Sequence, residues 1–202
     1  MPRRKSIYRA ALTEAGEYTR GAGRPLDIPH GTPATIEVGM GAGHLLVARA
    51  AVERDRFFVG LEIKEERTFQ AVREARLVGL TNIRFVVGEV ARVDSVIPRA
   101  RFDELLVLFP DPWPANGDHK RRLISPRYLA IFARWLVPGA RCTFRTDNLP
   151  LFEYATTAIQ TAPFRITQAT RAIAPKDVET RYEKRFRAEG IPIHEVVFER
   201  LA

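Results

Sequence analysis

Residues 106–123 read LVLFPDPWPANGDHKRRL: an apolar run ends at a carboxylate, Asp111, set between Pro110 and Pro112, and a tryptophan and a knot of cations follow. Proline fixes its own φ and pushes the preceding residue out of the α region, so Asp111 is restrained from both sides. An acid held in one direction without a dense hydrogen-bond network suits stabilisation of positive charge at a fixed point. The plainer alternative is a proline-rich turn with an incidental aspartate. Behind it, His119, Lys120, Arg121 and Arg122 are able to meet phosphates or to form a solvated charged face. Trp113 is suited to stacking on a base or to packing beneath the loop.

A second cluster is EVGMGAGH, with Glu37, Gly39, Gly41 and Gly43. Alternate glycines let backbone approach a ligand and turn tightly into a helix. A dinucleotide fingerprint needs glycine where this chain has His44, so the spacing speaks against a nicotinamide oxidoreductase and for the methyltransferase form. Further acids close the apolar runs downstream. Glu62 is placed to accept from both hydroxyls of a ribose, and its charge disfavours a phosphate there. A nucleoside without phosphates and with a cationic centre fits, and S-adenosylmethionine is such a ligand. Glu89, in VVGEV, is placed for an adenine amino group or is a plain surface acid. Asp147, in RTDN, faces the same strand ends as Asp111 or caps a helix. Late in the chain, ETRYEKRFRAEG carries Thr180, Arg181, Tyr182, Glu183, Lys184, Arg185 and Arg187. T-x-x-E is a capping box, which explains Thr180 and Glu183; the aromatic and the cations suit contact with an RNA backbone.

These residues need a scaffold that puts strand ends side by side. ATIEVG, FFVGLEI, IRFVVG, FDELLVLF, RCTFRT, FRITQAT and IPIHEVVFERL read as seven strands. HLLVARAAVER, KEERTFQAVREARLVGL, SPRYLAIFARWL and LPLFEYATTAIQ read as helices, with Ser125 as an N-cap before Pro126. The central strands are continuous apolar runs, as when helices cover both faces. Strand–helix alternation predicts an open, mostly parallel α/β sheet whose ligands lie beyond the carboxyl ends of the strands. Residues 1–30 carry Arg3, Arg4, Lys5, Arg9, Arg20 and Arg24 with little periodicity. They read as a basic N-terminal arm, partly disordered, ahead of one catalytic domain over 31–202.

Composition bounds the rest. A chain of 202 residues with 46% hydrophobic and 28% charged residues suffices for a full core. Its net charge of +8 favours a polyanionic partner. One cysteine, Cys142, excludes an internal disulfide and fits a reducing, cytoplasmic setting. There is no apolar region behind the basic start and no run of membrane-spanning length. His30, His44, His119 and His194 are too scattered to predict a metal site.

In order, EVGMGAG, GLEI, LTNIRFVVGE, FPDPWP with HKRRL behind it, RTDNLPLFEYA and TRYEKRF make the chain similar to the bacterial tRNA (guanine-N7)-methyltransferases of the TrmB type, over roughly residues 34–200. The resemblance implies a Rossmann-like class I fold with a mostly parallel seven-stranded sheet, S-adenosylmethionine as cofactor, and transfer to N7 of guanosine 46 in the tRNA variable loop. It implies cofactor contacts from Glu37, Gly39, Gly41, Gly43, Glu62, Glu89 and Asp111, with Asp111 also catalytic. It implies substrate contacts from Asp147, Thr180, Arg181, Tyr182 and Glu183, joined by Lys120 and Arg121. The protein is expected as a monomer or homodimer without metal or membrane association. Two positions depart from the family: Glu89 replaces an aspartate, and Ala115 replaces a lysine. Two alternatives stand beside this reading. One is a methyltransferase of the same fold acting on another RNA or a small molecule; the other is a non-catalytic RNA-binding relative.

Overall fold

The computed structural model describes residues 4–16, 18–20, 25–175 and 179–202. The chain divides into two compact units, Met1–Pro98 and Arg99–Ala202.

In the first unit, β1 (Thr19–Arg20), β2 (Ala34–Val38), β3 (Phe57–Glu62) and β4 (Ile83–Val87) lie in the order β1-β4-β3-β2, all parallel. Every residue of β2 and β3 is buried, which is what their unbroken apolar runs predict. The helices are α1 (Arg4–Glu14), α2 (His44–Val52), α3 (Glu65–Leu77) and the short α4 (Val90–Val93). α2 and α3 offer small residues, Ala50, Ala71 and Ala75, to the core that Phe58, Leu46, Leu80, Ile83 and Phe85 fill. Gly60 in β3 leaves space for the Met40 thioether, which would meet an added Cβ at 2.1 Å.

The expected basic arm is, over its described residues, a built part of this unit. α1 carries Leu12 into the same core, and Ala15 and Tyr18 follow it there. Arg9 pairs with Glu65 at 2.7 Å, and Phe85 N–H donates to the Tyr18 carbonyl, seating β1 beside β4. Of the arm's cations, Arg3 and Arg24 lie outside the described residues.

In the second unit, β5 (Phe102–Leu108), β6 (Leu136–Thr146), β7 (Phe164–Thr170) and β8 (His194–Arg200) lie in the order β5-β6-β8-β7. β5 and β6 are parallel, and β8 runs antiparallel to both β6 and β7. A 3₁₀ helix (Asn116–Arg121) precedes α5 (Pro126–Trp135), with α6 (Leu149–Gln160) and α7 (Arg181–Ala188) beyond. Trp135, Phe132, Phe144 and Phe198 are fully buried. Ser125 occupies the N-cap position of α5, but its side chain makes no capping bond. Pairing is therefore mostly parallel, with one antiparallel strand pair at each side of β8. All seven expected strands form, and β1 is an addition that a two-residue segment could not announce.

Candidate active site

Of the residues expected to contact the cofactor, Glu37, Glu62, Glu89 and the three glycines gather at the carboxyl ends of three adjacent parallel strands, and Asp111 belongs to the second unit. Glu37 is the fourth residue of β2 and 4% exposed. β2 ends one residue later, and the chain returns against β3 through Gly39 and Met40 amides donating to the Leu61 carbonyl. Gly39, Gly41 and Gly43 all have positive φ, at 79°, 58° and 70°, a region that favours glycine. The reason for Gly43 is packing, since a Cβ there would lie 2.7 Å from Ala71 Cβ. The reason for Gly41 is different: an added Cβ would meet only an Arg67 guanidinium nitrogen at 4.0 Å. That loop surface is open for close approach.

Glu62 ends β3 and is 8% exposed. Its Oε2 accepts from Gly41 N–H at 3.0 Å and its Oε1 from Lys64 N–H at 2.9 Å. Two backbone donors thus fix the carboxylate against the glycine loop, while each oxygen retains acceptor capacity for a second donor. A rigid acceptor pair is what a ribose diol needs. Glu89 follows β4 as the N-cap of α4, its Oε1 accepting from Ala91 N–H at 3.2 Å. The substitution of glutamate for aspartate keeps a carboxylate at this strand end. The glycine cradle and the fixed diol acceptor fit an adenosine-bearing cofactor.

The residues expected to contact the substrate belong to the second unit, as does the expected catalytic residue. Asp111 is exposed on the FPDPWP loop. The loop is strained where it leaves the sheet: Phe109 has φ 51° and Trp113 φ 42°, a region costly for non-glycine residues. Two contacts hold it there. Phe109 N–H donates to the Arg145 carbonyl at 2.8 Å, and Arg122 Nε donates to the Pro112 carbonyl at 2.8 Å. Arg122 is 6% exposed, with its guanidinium 4.4 Å from the Tyr154 ring centre. The cation knot is therefore not uniform: Arg122 braces the acid's loop, Arg121 lies 3.5 Å over the Trp113 ring, and Lys120 is exposed.

Asp147, half-buried, follows β6 directly. Capping of α6 falls to the next residue, Asn148, whose side chain accepts from Leu151 N–H at 2.8 Å. Thr180 and Glu183 form the expected capping box, with bonds of 3.0 and 2.6 Å. Glu183 is fully buried and ion-paired to Arg145 at 2.7 Å, so its carboxylate serves the fold of α7. Arg181 and Tyr182 stay exposed, and the Tyr182 ring stacks on Phe109 at 5.9 Å. Sequence reading missed Arg145, and it took Arg122 for a phosphate-facing or solvated cation rather than a brace of the loop. The available signal for Arg145 was a cation within an otherwise apolar strand end, FRT.

Two titratable groups nearby are perturbed. Burial, aided by Glu104, pushes the Cys142 thiol far up, so it is not a nucleophile. Burial first, then the Arg171 cation, hold His194 below the ordinary imidazole value, opposed by Asp147 and Glu153. Among the described residues, no cluster of three His, Cys, Asp or Glu side chains is arranged to hold a metal. Among them, too, no helix is long and apolar enough to cross a membrane.

Residues 31–196 match the family model Methyltransf_4, "Putative methyltransferase". The chain is 33% identical over 169 residues to the tRNA (guanine-N(7)-)-methyltransferase of Limosilactobacillus fermentum, covering 81% of this chain and 79% of that protein. It is 32% identical over 197 residues to the enzyme of that name from Caulobacter vibrioides, covering 95% and 87%. Among solved structures, the 16S rRNA methyltransferase KamB superposes with a TM-score of 0.67 at 17% identity, over 90% of this chain and 98% of that one. A SAM-dependent methyltransferase from Aquifex aeolicus gives 0.61 at 14% identity, over 96% and 89%. These likenesses establish a Rossmann-like methyltransferase fold.

Proposed function

The chain belongs to the tRNA (guanine-N(7)-)-methyltransferase family, and on that premise we propose that it methylates N7 of a guanosine in tRNA, at position 46 of the variable loop. S-adenosylmethionine, when bound, supplies an electrophilic methyl group on a sulfonium and leaves as a neutral thioether. The observation that carries the assignment is Glu62, whose carboxylate is fixed by Gly41 and Lys64 amides at the end of β3. It takes the ribose hydroxyls, Glu89 takes the adenine amino group, and Glu37 with the glycine loop supports the positively charged end.

Guanine N7 holds a lone pair in the ring plane and needs no deprotonation before attack. The protein's task is therefore positioning and electrostatics, without a histidine base. Positive charge passes to the purine as the methyl group is transferred. Asp111, exposed and braced by Arg122 through the Pro112 carbonyl, is the catalytic carboxylate that stabilises that charge. Asp147 accepts from the N1–H and amino group, which adenine does not offer together. Arg181, Tyr182, Lys120 and Arg121 hold the surrounding RNA, and Thr180 with Glu183 shapes the helix end that presents the first two.

The test is transfer of labelled methyl from S-adenosylmethionine to a tRNA transcript, an rRNA fragment and free guanosine in parallel. Label in tRNA alone is expected. Label confined to the rRNA fragment or to guanosine contradicts the proposal.

A further inference from the structure

Arg145 is a charged residue in a strand whose last five residues are all buried. It is 9% exposed. Its Nη1 donates to Glu183 Oε1 at 2.7 Å and its Nε to Glu195 Oε2 at 2.7 Å. Both acids are nearly or fully buried, at 0% and 2% exposure. The side chain thus joins α7 to β8 from its own place on β6. Its backbone makes a third attachment, since the Arg145 carbonyl accepts from Phe109 N–H at 2.8 Å. Two residues later in the chain comes Asp147.

A buried ion pair is weak evidence for stability, because desolvation offsets much of the attraction. What a planar guanidinium adds is direction: two donors at a fixed angle, Nη1 to Glu183 and Nε to Glu195, hold both acids in one geometry, which a lysine ammonium does not reproduce. Here the fixed elements are the ones that carry the substrate-side residues. Glu183 closes the capping box that starts α7 at Thr180. α7 in turn packs Tyr182, stacked, and Phe186, tilted, against Phe109, at 5.9 and 5.5 Å, two residues before Asp111. We infer that Arg145 is the positioning residue of the substrate side: it sets α7, the FPDPWP loop and Asp147 in register for the target base, without touching that base itself. This rests on the proposed tRNA methyl transfer, and deepens it.

The variant is Arg145→Lys, which keeps the charge and loses the fixed pair of donors. Wild type is assayed beside it, so absence of tRNA methylation in wild type would count against the proposed function and not against Arg145. The readouts are S-adenosylmethionine Kd by calorimetry and tRNA kcat and KM per cofactor-binding molecule. A merely structural role lowers the fraction of folded protein and leaves the per-molecule constants unmoved. The expected result is a cofactor Kd within about twofold of wild type and a tRNA kcat/KM lower by about 10- to 100-fold, the scale of a misplaced reacting pair. Unchanged kcat/KM, or a cofactor Kd that weakens in step with turnover, overturns the inference. Should Arg145→Lys fail to fold, Glu183→Gln, which keeps one of the two acceptor oxygens and removes the charge, is read by the same two constants and the same criteria.

Discussion

Gly41 and Gly43 sit two residues apart in one loop, both at positive φ, yet alanine at each should fail differently. At Gly43 the new Cβ would be 2.7 Å from Ala71 Cβ, about 1 Å inside ordinary carbon–carbon contact. Ala71 is a buried residue of α3 and has no flexible end to give way. Left-handed strain of about 1–2 kcal/mol adds to about 1–3 kcal/mol for overpacking. Gly43→Ala should therefore lose about 2–5 kcal/mol, a fall in Tm of about 4–20 °C for a chain of this size. At Gly41 only the strain applies, because the Cβ points into space bounded by one Arg67 nitrogen at 4.0 Å. Gly41→Ala should lose about 1–2 kcal/mol and remain folded. If that space receives the cofactor, however, its S-adenosylmethionine Kd should rise by about tenfold or more, about 1.4 kcal/mol. Thermal melting with and without cofactor, plus calorimetry on both variants, reads all of these quantities. A folded Gly41→Ala protein that binds S-adenosylmethionine like wild type would refute the placement of the cofactor against this loop.

Asp111→Ala should lower kcat by about 100-fold, or about 2.7 kcal/mol of lost charge stabilisation, with cofactor affinity nearly intact; equal losses in both, by single-turnover kinetics and calorimetry, would point to a structural aspartate. Affinity for tRNA should fall steeply with salt: if Lys120, Arg121, Arg181, Lys184 and Arg185, all exposed, neutralise phosphates, log K against log salt should slope by about −3.5 to −4.5, and a flat response would deny them that role. His194 is held neutral by burial, so its folded pKa lies below its unfolded one. As pH drops below about 6.5 the unfolded chain takes the proton first, and stability present above that pH is lost. Tm should decline between pH 7.5 and 5.5 in wild type and less in His194→Gln; parallel declines would show that other groups control the acid side.

The local signals in the sequence were those whose physics is local. A capping box at Thr180–Glu183, a buried strand ending at Glu62 and α6 over LPLFEYATTAIQ each follow from a few adjacent residues. The glycine spacing also reads directly, because positive φ is a property of single positions. What stayed hidden was decided by distant partners. α1 is anchored by distant partners: Leu12 enters the core with Leu46 and Phe85, Tyr8 packs on Phe69 and Arg9 pairs with Glu65. Glu183 reads as a capping-box acid or a substrate contact until Arg145, 38 positions away, is seen to meet it. Arg122 reads as one more RNA-facing cation, yet it is spent on the Pro112 carbonyl and the Tyr154 ring. Ser125 reads as a cap, and the chain places it at the right position without the bond.

The central claim is that fixed carboxylates bring a cationic methyl donor to guanine N7 in tRNA. The direct measurement is to map the methylated nucleotide by nuclease digestion and mass spectrometry after incubating unmodified tRNA with the protein and S-adenosylmethionine. The account predicts 7-methylguanosine at a single guanosine of the variable loop, absent when that guanosine is replaced by adenosine. Methyl groups on another atom or another loop, or persistence after the replacement, would contradict it.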